Sequence, residues 1–112
     1  MDSKTLLTWY KAAQDGASDY RVAQLLGFKK QTVSAWKRGT AGMSDEAGIK
    51  VAQALQLDPH LVLVALQLER SRSPAASRAW ALLYRRLEQA TAPAVAGFAG
   101  LVVGLSDVPI LT

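Results

Sequence analysis

Hydrophobic residues recur at helical spacing through the first 90 residues of the chain, and no alternating strand pattern interrupts them. The first helix is predicted to end at Asp15-Gly16, and a short second helix then runs from a cap at Ser18 or Asp19 to Gly27. The apolar face of the first helix consists of Leu6, Trp9, Tyr10 and Ala13. The inward residues of the second are Val22, Ala23 and Leu26.

Four further helices are predicted, the third at about residues 30–37 with its end at Gly39. Start signals for the next three stand at Ser44 or Asp45, at Asp58-Pro59 and at Ser73-Pro74. The fifth helix, residues 60–68, is apolar nearly all round and must be covered on more than one side. We therefore expect the sixth helix to pack on the fifth, or two copies of the chain to share both. The apolar stripe of the sixth helix consists of Ala76, Trp80, Leu83 and Leu87.

The predicted architecture is all-α, with a five-helix domain over residues 1–70 and an additional helix, a candidate for dimerisation, over residues 71–90. An apolar tail follows over residues 91–112, and its residues 94–105 are all apolar or glycine. This tail either packs on the domain or enters a membrane, and Arg85-Arg86 just before it suit a cytoplasmic-side anchor. The polar, amphipathic N-terminus predicts no signal peptide, and so a cytoplasmic protein with or without an inner-membrane tether.

Composition removes several functional classes. The 112 residues include no Cys and one His, which excludes a disulfide scaffold, a thiolate metal cluster and a Cys nucleophile. No nucleophile–base pair, phosphate-binding loop or metal-ligand spacing occurs in the sequence. We therefore predict a protein that is not an enzyme and that needs no cofactor.

Positive charge is concentrated in one stretch. Residues 20–44 hold five basic and no acidic residues, whereas the rest of the chain has eight basic and nine acidic residues. A solvated surface usually mixes both signs, so a cluster of one sign favours a polyanionic partner.

The third helix has two distinct faces. Val33 and Trp36, spaced i and i+3, anchor it inward, whereas the opposite face has small and hydrogen-bonding groups next to cations. Such a face suits a helix that lies in the DNA major groove, where Gln31 offers a donor–acceptor pair to adenine. The outward residues are Gln31, Ser34, Ala35 and Arg38.

Lys29 and Lys30 stand at the positive end of this helix, where the helix dipole disfavours cations by about 0.3–1 kcal/mol. An anionic partner would compensate for that arrangement. The small Ala23 in turn lets the second and third helices approach closely, and Gly27 permits a tight turn between them.

The segment SDYRVAQLLGFKKQTVSAWKRG, residues 18–39, resembles the helix-turn-helix of the phage Cro/C1 repressor family. The motif positions that carry the resemblance are Ala23, Gly27, Val33 and Trp36. The chain is also similar to small helix-turn-helix regulators of filamentous phages and prophages, some of which end in an apolar segment.

The resemblance implies that Lys30, Gln31 and Ala35 face DNA bases, with Lys29 and Ser34 near them. It also implies that DNA phosphates meet Ser18, Gln24, Lys37, Arg38 and Thr40. Asp19 departs from the pattern because a carboxylate near phosphate is unfavourable, so we expect its side chain to cap the second helix.

The function expected from the sequence is sequence-specific binding of a double-stranded DNA operator by a homodimer that regulates transcription as a phage or prophage repressor. The alternative is a protein–protein interaction module that the apolar tail tethers to a membrane. The lysines of the third helix favour DNA, and the tail favours the interaction module.

Overall fold

A computed structural model describes the backbone of residues 1–99 and the side chains of residues 1–90. Every regular element in that part of the chain is a helix, which confirms the all-α prediction. The helices are α1 (Ser3–Ala13), α2 (Asp19–Leu26), α3 (Lys30–Arg38), α4 (Asp45–Leu55), α5 (Pro59–Arg70) and α6 (Pro74–Ala99).

Helix ends follow the predicted start and stop signals. The side chains of Ser18, Ser44 and Asp58 cap α2, α4 and α5 by accepting hydrogen bonds from backbone N–H groups of the first turn. Gly27 and Gly39 end α2 and α3 in the left-handed region, with φ of 81° and 80°. These signals were strong because each one satisfies backbone groups that the helix itself leaves unpaired.

Residues from all of the first five helices form the core, and its composition corrects the predicted face of α1. Leu7 is buried, whereas Trp9 is 43% exposed and Ala13 is also exposed. A face drawn at i, i+3, i+4 and i+7 fits two neighbouring orientations of a short helix, and packing against α3 and α4 selects the one centred on Leu6 and Tyr10. The core residues are Leu6, Leu7, Tyr10, Val22, Ala23, Leu26, Val33, Trp36, Met43, Ala47, Val51, Ala52, Val62 and Leu66.

Helix α5 packs against both α4 and α6, as its apolar sequence requires. The stripe of α6 is also corrected, because Leu83 is 40% exposed whereas Tyr84 is half-buried in its place. Trp80 is half-buried rather than buried. The helix itself continues beyond residue 90 as far as Ala99.

Ser3 connects the two ends of the five-helix unit and holds the loop that leaves α3. Its backbone N–H and hydroxyl donate to Glu69 Oε1 at 3.0 and 2.8 Å, and its Oγ accepts from the Met43 N–H at 2.8 Å. Arg70 Nη2 donates to the Met43 carbonyl at 3.1 Å and to Asp45 Oδ1 at 2.7 Å. The α3–α4 loop is therefore fixed to α1 and α5 by side-chain hydrogen bonds.

The predicted membrane or packing segment, residues 94–105, lies outside the described side chains, as does the rest of the 91–112 tail. Within the described residues, none of the helices combines the length and the apolar character that a membrane crossing requires.

Candidate nucleic-acid interface

Helix α3 is anchored by its inward face. Val33 is fully buried and Trp36 is 2% exposed. The ring of Phe28, in the turn before the helix, meets the Trp36 ring edge-on with centroids 5.5 Å apart. The predicted assignment of Val33 and Trp36 to the core is confirmed, so the indole of Trp36 is not available to stack on a base.

The turn between α2 and α3 is held from both sides. The N–H groups of Gly27 and Phe28 both donate to the Ala23 carbonyl at 2.9 Å. Lys50 of α4 donates from Nζ to the Leu26 carbonyl at 2.8 Å and lies 5.3 Å from the centre of the Phe28 ring. Lys50 thus fixes the angle at which α3 leaves the turn, a role that its distance in sequence concealed.

The outward face of α3 has the residues that the sequence assigned to base contact. Lys29, Lys30 and Gln31 are exposed, whereas Ser34 and Ala35 are half-buried. The half-buried pair lies in the middle of the helix, next to the buried Val33 and Trp36. This face is therefore graded, with long polar groups at its N-terminal end and small groups in its middle.

The cations of α3 are all exposed, whereas three cations of the neighbouring helices have acidic partners. Lys11 pairs with Asp19, Lys50 with Glu46 and Arg70 with Asp45. Four exposed cations at the two ends of α3 form neither an ion pair nor a side-chain hydrogen bond within residues 1–90: Lys29, Lys30, Lys37 and Arg38. The same holds for Lys4 of α1 and for four arginines in and just before α6: Arg72, Arg78, Arg85 and Arg86.

The N-terminus of α3 has no stabilising cap. Lys29 is the N-cap residue and makes no side-chain cap hydrogen bond, and the first turn has no acidic residue. Thr32 and Val33 donate their N–H groups to the Lys29 carbonyl, so the N–H groups of Lys30 and Gln31 are the ones left for a ligand, next to the two lysines. Both features favour an anion at this end of the helix.

Three of the predicted phosphate contacts already make hydrogen bonds within the chain. Ser18 Oγ accepts from the Arg21 N–H at 3.1 Å, which leaves its hydroxyl proton free to donate. The Gln24 amide lies between Tyr20 and Arg21, at 3.2 and 3.4 Å. Thr40 Oγ1 donates to the Ala35 carbonyl at 3.4 Å. Gln24 and Thr40 would have to exchange these bonds for bonds to phosphate.

Asp19 does not cap α2, which corrects the sequence prediction. The cap is Ser18, while the Asp19 carboxylate forms an ion pair with Lys11 of α1. The hydrogen bond from Lys11 holds the pKa of the Asp19 carboxyl below its usual range, with smaller contributions from the charge of Lys37 and from Ser34. Asp19 is therefore ionised at neutral pH although it is largely buried.

Two further cations near α3 escaped the sequence analysis. Lys4 of α1 lies over Gly39, and its Cε is 3.0 Å from the place that a Cβ on this glycine would occupy. Lys11 joins the start of α2 through Asp19. Neither contact has a signal in the sequence, because both join helices that the chain order separates.

Comparison with known proteins yields one partial similarity. A protein of Pseudoalteromonas phage PM2, named "Uncharacterized protein Gp-c", is 41% identical to the chain over 46 residues. The match covers 41% of this chain and 50% of the phage protein, so the chain spans about half the length of that curated relative. No family model matches the chain. No solved structure matches it either.

Proposed function

We propose that the protein binds double-stranded DNA sequence-specifically as a homodimer and regulates transcription, as a phage or prophage repressor. In this proposal α2 and α3 form a helix-turn-helix of the Cro/C1 type, and α3 lies in the major groove. The observation that carries it is the set of unpaired cations on and around the outward face of α3, next to an N-terminus that no side chain caps. The similarity to a phage protein supports the phage setting.

The cations supply affinity and the helix face supplies specificity. Lys29, Lys37 and Arg38 contact phosphates at the two ends of α3, where their charge displaces counterions from the DNA. Gln31, exposed in the first turn, donates to and accepts from adenine in the groove. Ala35 presents only a methyl group and contacts a thymine methyl.

Dimerisation through α5 and α6 fits the burial pattern of the last helix. Over residues 74–90 no side chain of α6 is buried, although this segment carries several large apolar groups. Leu82 and Leu83 are 48% and 40% exposed. A palindromic operator requires that a second copy covering these side chains place the two α3 helices about one DNA turn apart.

The test is a selection of the full chain against random DNA duplexes at two salt concentrations, with the bound fraction sequenced. The proposal predicts a palindrome with half-sites about ten base pairs apart and an affinity that falls steeply with salt.

Salt-sensitive binding with no enriched sequence would contradict sequence-specific recognition. Absence of binding at low salt would reject the DNA function altogether. In that case membrane fractionation, with resistance of the pelleted protein to salt washing, would test the tethered interaction module that the apolar tail suggested.

A further inference from the structure

The carboxylate of Asp19 lies beside the outward face of α3. Asp19 is the one acidic residue between Asp15 and Asp45 in the sequence, and its side chain is 17% exposed. One carboxylate oxygen, Oδ1, pairs with Lys11. The other, Oδ2, lies 3.5 Å from Ser34 Oγ, in the middle of the face assigned to base contact. Asp19 thus connects Lys11 of α1 to Ser34, one of the residues assigned to base contact.

The chemistry of this contact fixes the direction of the hydrogen bond. An ionised carboxylate only accepts hydrogen bonds, whereas a serine hydroxyl has one proton and two lone pairs. The Ser34 hydroxyl must therefore donate its proton to Asp19, and among the described residues it has no other hydrogen-bond partner. What remains on Ser34 Oγ for a ligand is its two lone pairs, which can only accept.

We propose that Asp19 is a positioning residue that sets the base preference of Ser34, an inference that rests on the proposed DNA-binding function. With its proton held by Asp19, Ser34 accepts a hydrogen bond from the base but cannot donate one. In the major groove only adenine N6 and cytosine N4 are donors, whereas guanine and thymine present acceptors at the corresponding place. The base that faces Ser34 is therefore adenine or cytosine.

A purely structural role for Asp19 makes a different prediction. If the carboxylate served only to tie α1 to α2 through Lys11, breaking the ion pair from either side would have the same effect. Lys11→Met removes the ion pair but keeps the acceptor next to Ser34. Asp19→Asn changes the acceptor itself, since its amide nitrogen can donate to Ser34 Oγ and release the hydroxyl proton toward the DNA.

The experiment is a selection from random duplexes with the full-length wild type and five variants, each checked for folding by circular dichroism. The variants are Asp19→Asn, Ser34→Ala, the double variant, Lys11→Met and Asp15→Asn. The last is the control for charge, because Asp15 is exposed, makes no side-chain contact among the described residues and has φ 58°, which Asn tolerates.

The operator position that faces Ser34 is the one at which Ser34→Ala flattens the preference. We expect the wild type, Lys11→Met and Asp15→Asn to favour adenine or cytosine there by roughly fivefold or more. Asp19→Asn should lose that preference, and in the Ser34→Ala background it should cause no further change at this position.

The inference is overturned, while the proposed function stands, if a specific operator is selected but the wild type favours guanine or thymine there. The same conclusion follows if Ser34→Ala alters no position, or if Asp19→Asn keeps the wild-type profile. Even if Asp19→Asn fails to fold, a preference for guanine or thymine in the wild type, or an unchanged profile in Ser34→Ala, would still overturn the inference. If the wild type enriches no sequence, the proposed function fails and this inference fails with it.

Discussion

Helices α3 and α4 are neighbours in sequence and similar in length, with nine and eleven residues, yet their ends are built in opposite ways. Helix α4 starts with a serine cap and two acidic residues, Asp45 and Glu46, that complement its dipole. Helix α3 starts with Lys29 and Lys30, has no side-chain cap and has no acidic residue in its first turn.

In the proposed function, this difference separates a helix that supports the fold from a helix that binds DNA. Charged groups of α4 are satisfied inside the protein, as in the pairs Lys50–Glu46 and Arg70–Asp45. The cations of α3 have no such partners among the described residues. Sequences depart from the residue preferences that stabilise helix ends more often at functional sites than elsewhere. The uncapped, lysine-bearing start of α3 therefore favours this helix as the one that binds an external anion.

The largest effect, on the free energy of unfolding, should come from the buried inward face of α3. Trp36→Ala removes a buried indole and its contact with Phe28, and should destabilise the fold by about 3–5 kcal/mol. Urea unfolding monitored by circular dichroism measures this loss. A change below about 1 kcal/mol would mean that the inward face is not the anchor of α3.

On the outward face, Gln31→Ala should weaken binding of the selected operator by about 1–3 kcal/mol, with the loss confined to one base position. Stability should stay unchanged, because the side chain is exposed and makes no contact within the described residues. Anisotropy titrations against single-base operator variants test this assignment. It is wrong if Gln31→Ala leaves the effect of every operator substitution as it was.

Exchanging the helix starts tests the contrast between α3 and α4 most symmetrically. Lys29 has the extended backbone of an N-cap, with φ −77° and ψ 150°, so Lys29→Ser should add a cap and stabilise the fold by about 0.5–1 kcal/mol. The same change should weaken DNA binding and reduce its salt dependence. Ser44→Ala should instead lower the stability of the fold by about 1 kcal/mol and leave DNA binding unchanged.

Thermal unfolding measures the stability of both variants, and salt-dependent titration measures their DNA binding. The contrast would not hold if Lys29→Ser left DNA binding intact, or if Ser44→Ala weakened it as much as Lys29→Ser does.

The smallest effect on stability should come from Asp19, whose carboxylate contacts Lys11 of α1 and Ser34 of α3. Its pKa is lowered in the folded chain, chiefly by the hydrogen bond from Lys11. It therefore contributes stability that is present above the usual Asp pKa of about 3.9 and is lost as the pH falls through the lower folded value. Asp19→Asn should lose less stability than the wild type between pH 5 and pH 2.5, both measured by urea unfolding. Equal losses would show that the ion pair does not stabilise the fold.

Local signals in the sequence predicted most of the fold. Serine caps, Asp58-Pro59 and the left-handed glycines Gly27 and Gly39 act within a few residues, so the chain order alone locates them. The predicted orientation of α1 was wrong because it depends on contacts with helices distant in sequence. Whether Leu7 or Trp9 is buried depends on the angle at which α1 meets α3 and α4, and periodicity does not encode that angle.

The same division applies to the candidate site. The two faces of α3 followed from spacing, since Val33 and Trp36 face inward and Gln31 faces outward. Long-range partners could not be predicted from spacing, because they join residues from different helices. Examples are the ion pair Lys11–Asp19 and the hydrogen bond from Lys50 to the Leu26 carbonyl. In particular, the role of Asp19 changed from a cap to an ion pair once those helices were in place.

The most direct test of the central claim is to count the phosphates that the unpaired cations of α3 neutralise. The slope of log affinity against log salt falls by about 0.9 for each phosphate contact removed. The experiment compares the double variant Lys37→Ala/Arg38→Ala with a control of equal charge on exposed positions of α6, Arg78→Ala/Arg86→Ala. In the proposed homodimer this double variant removes four phosphate contacts, two from each protomer, so we predict that the slope falls by about 3.6. The α3 variant should also weaken binding to all sequences alike and keep its stability, while the control retains the wild-type slope. Equal slopes for the two variants would contradict the account.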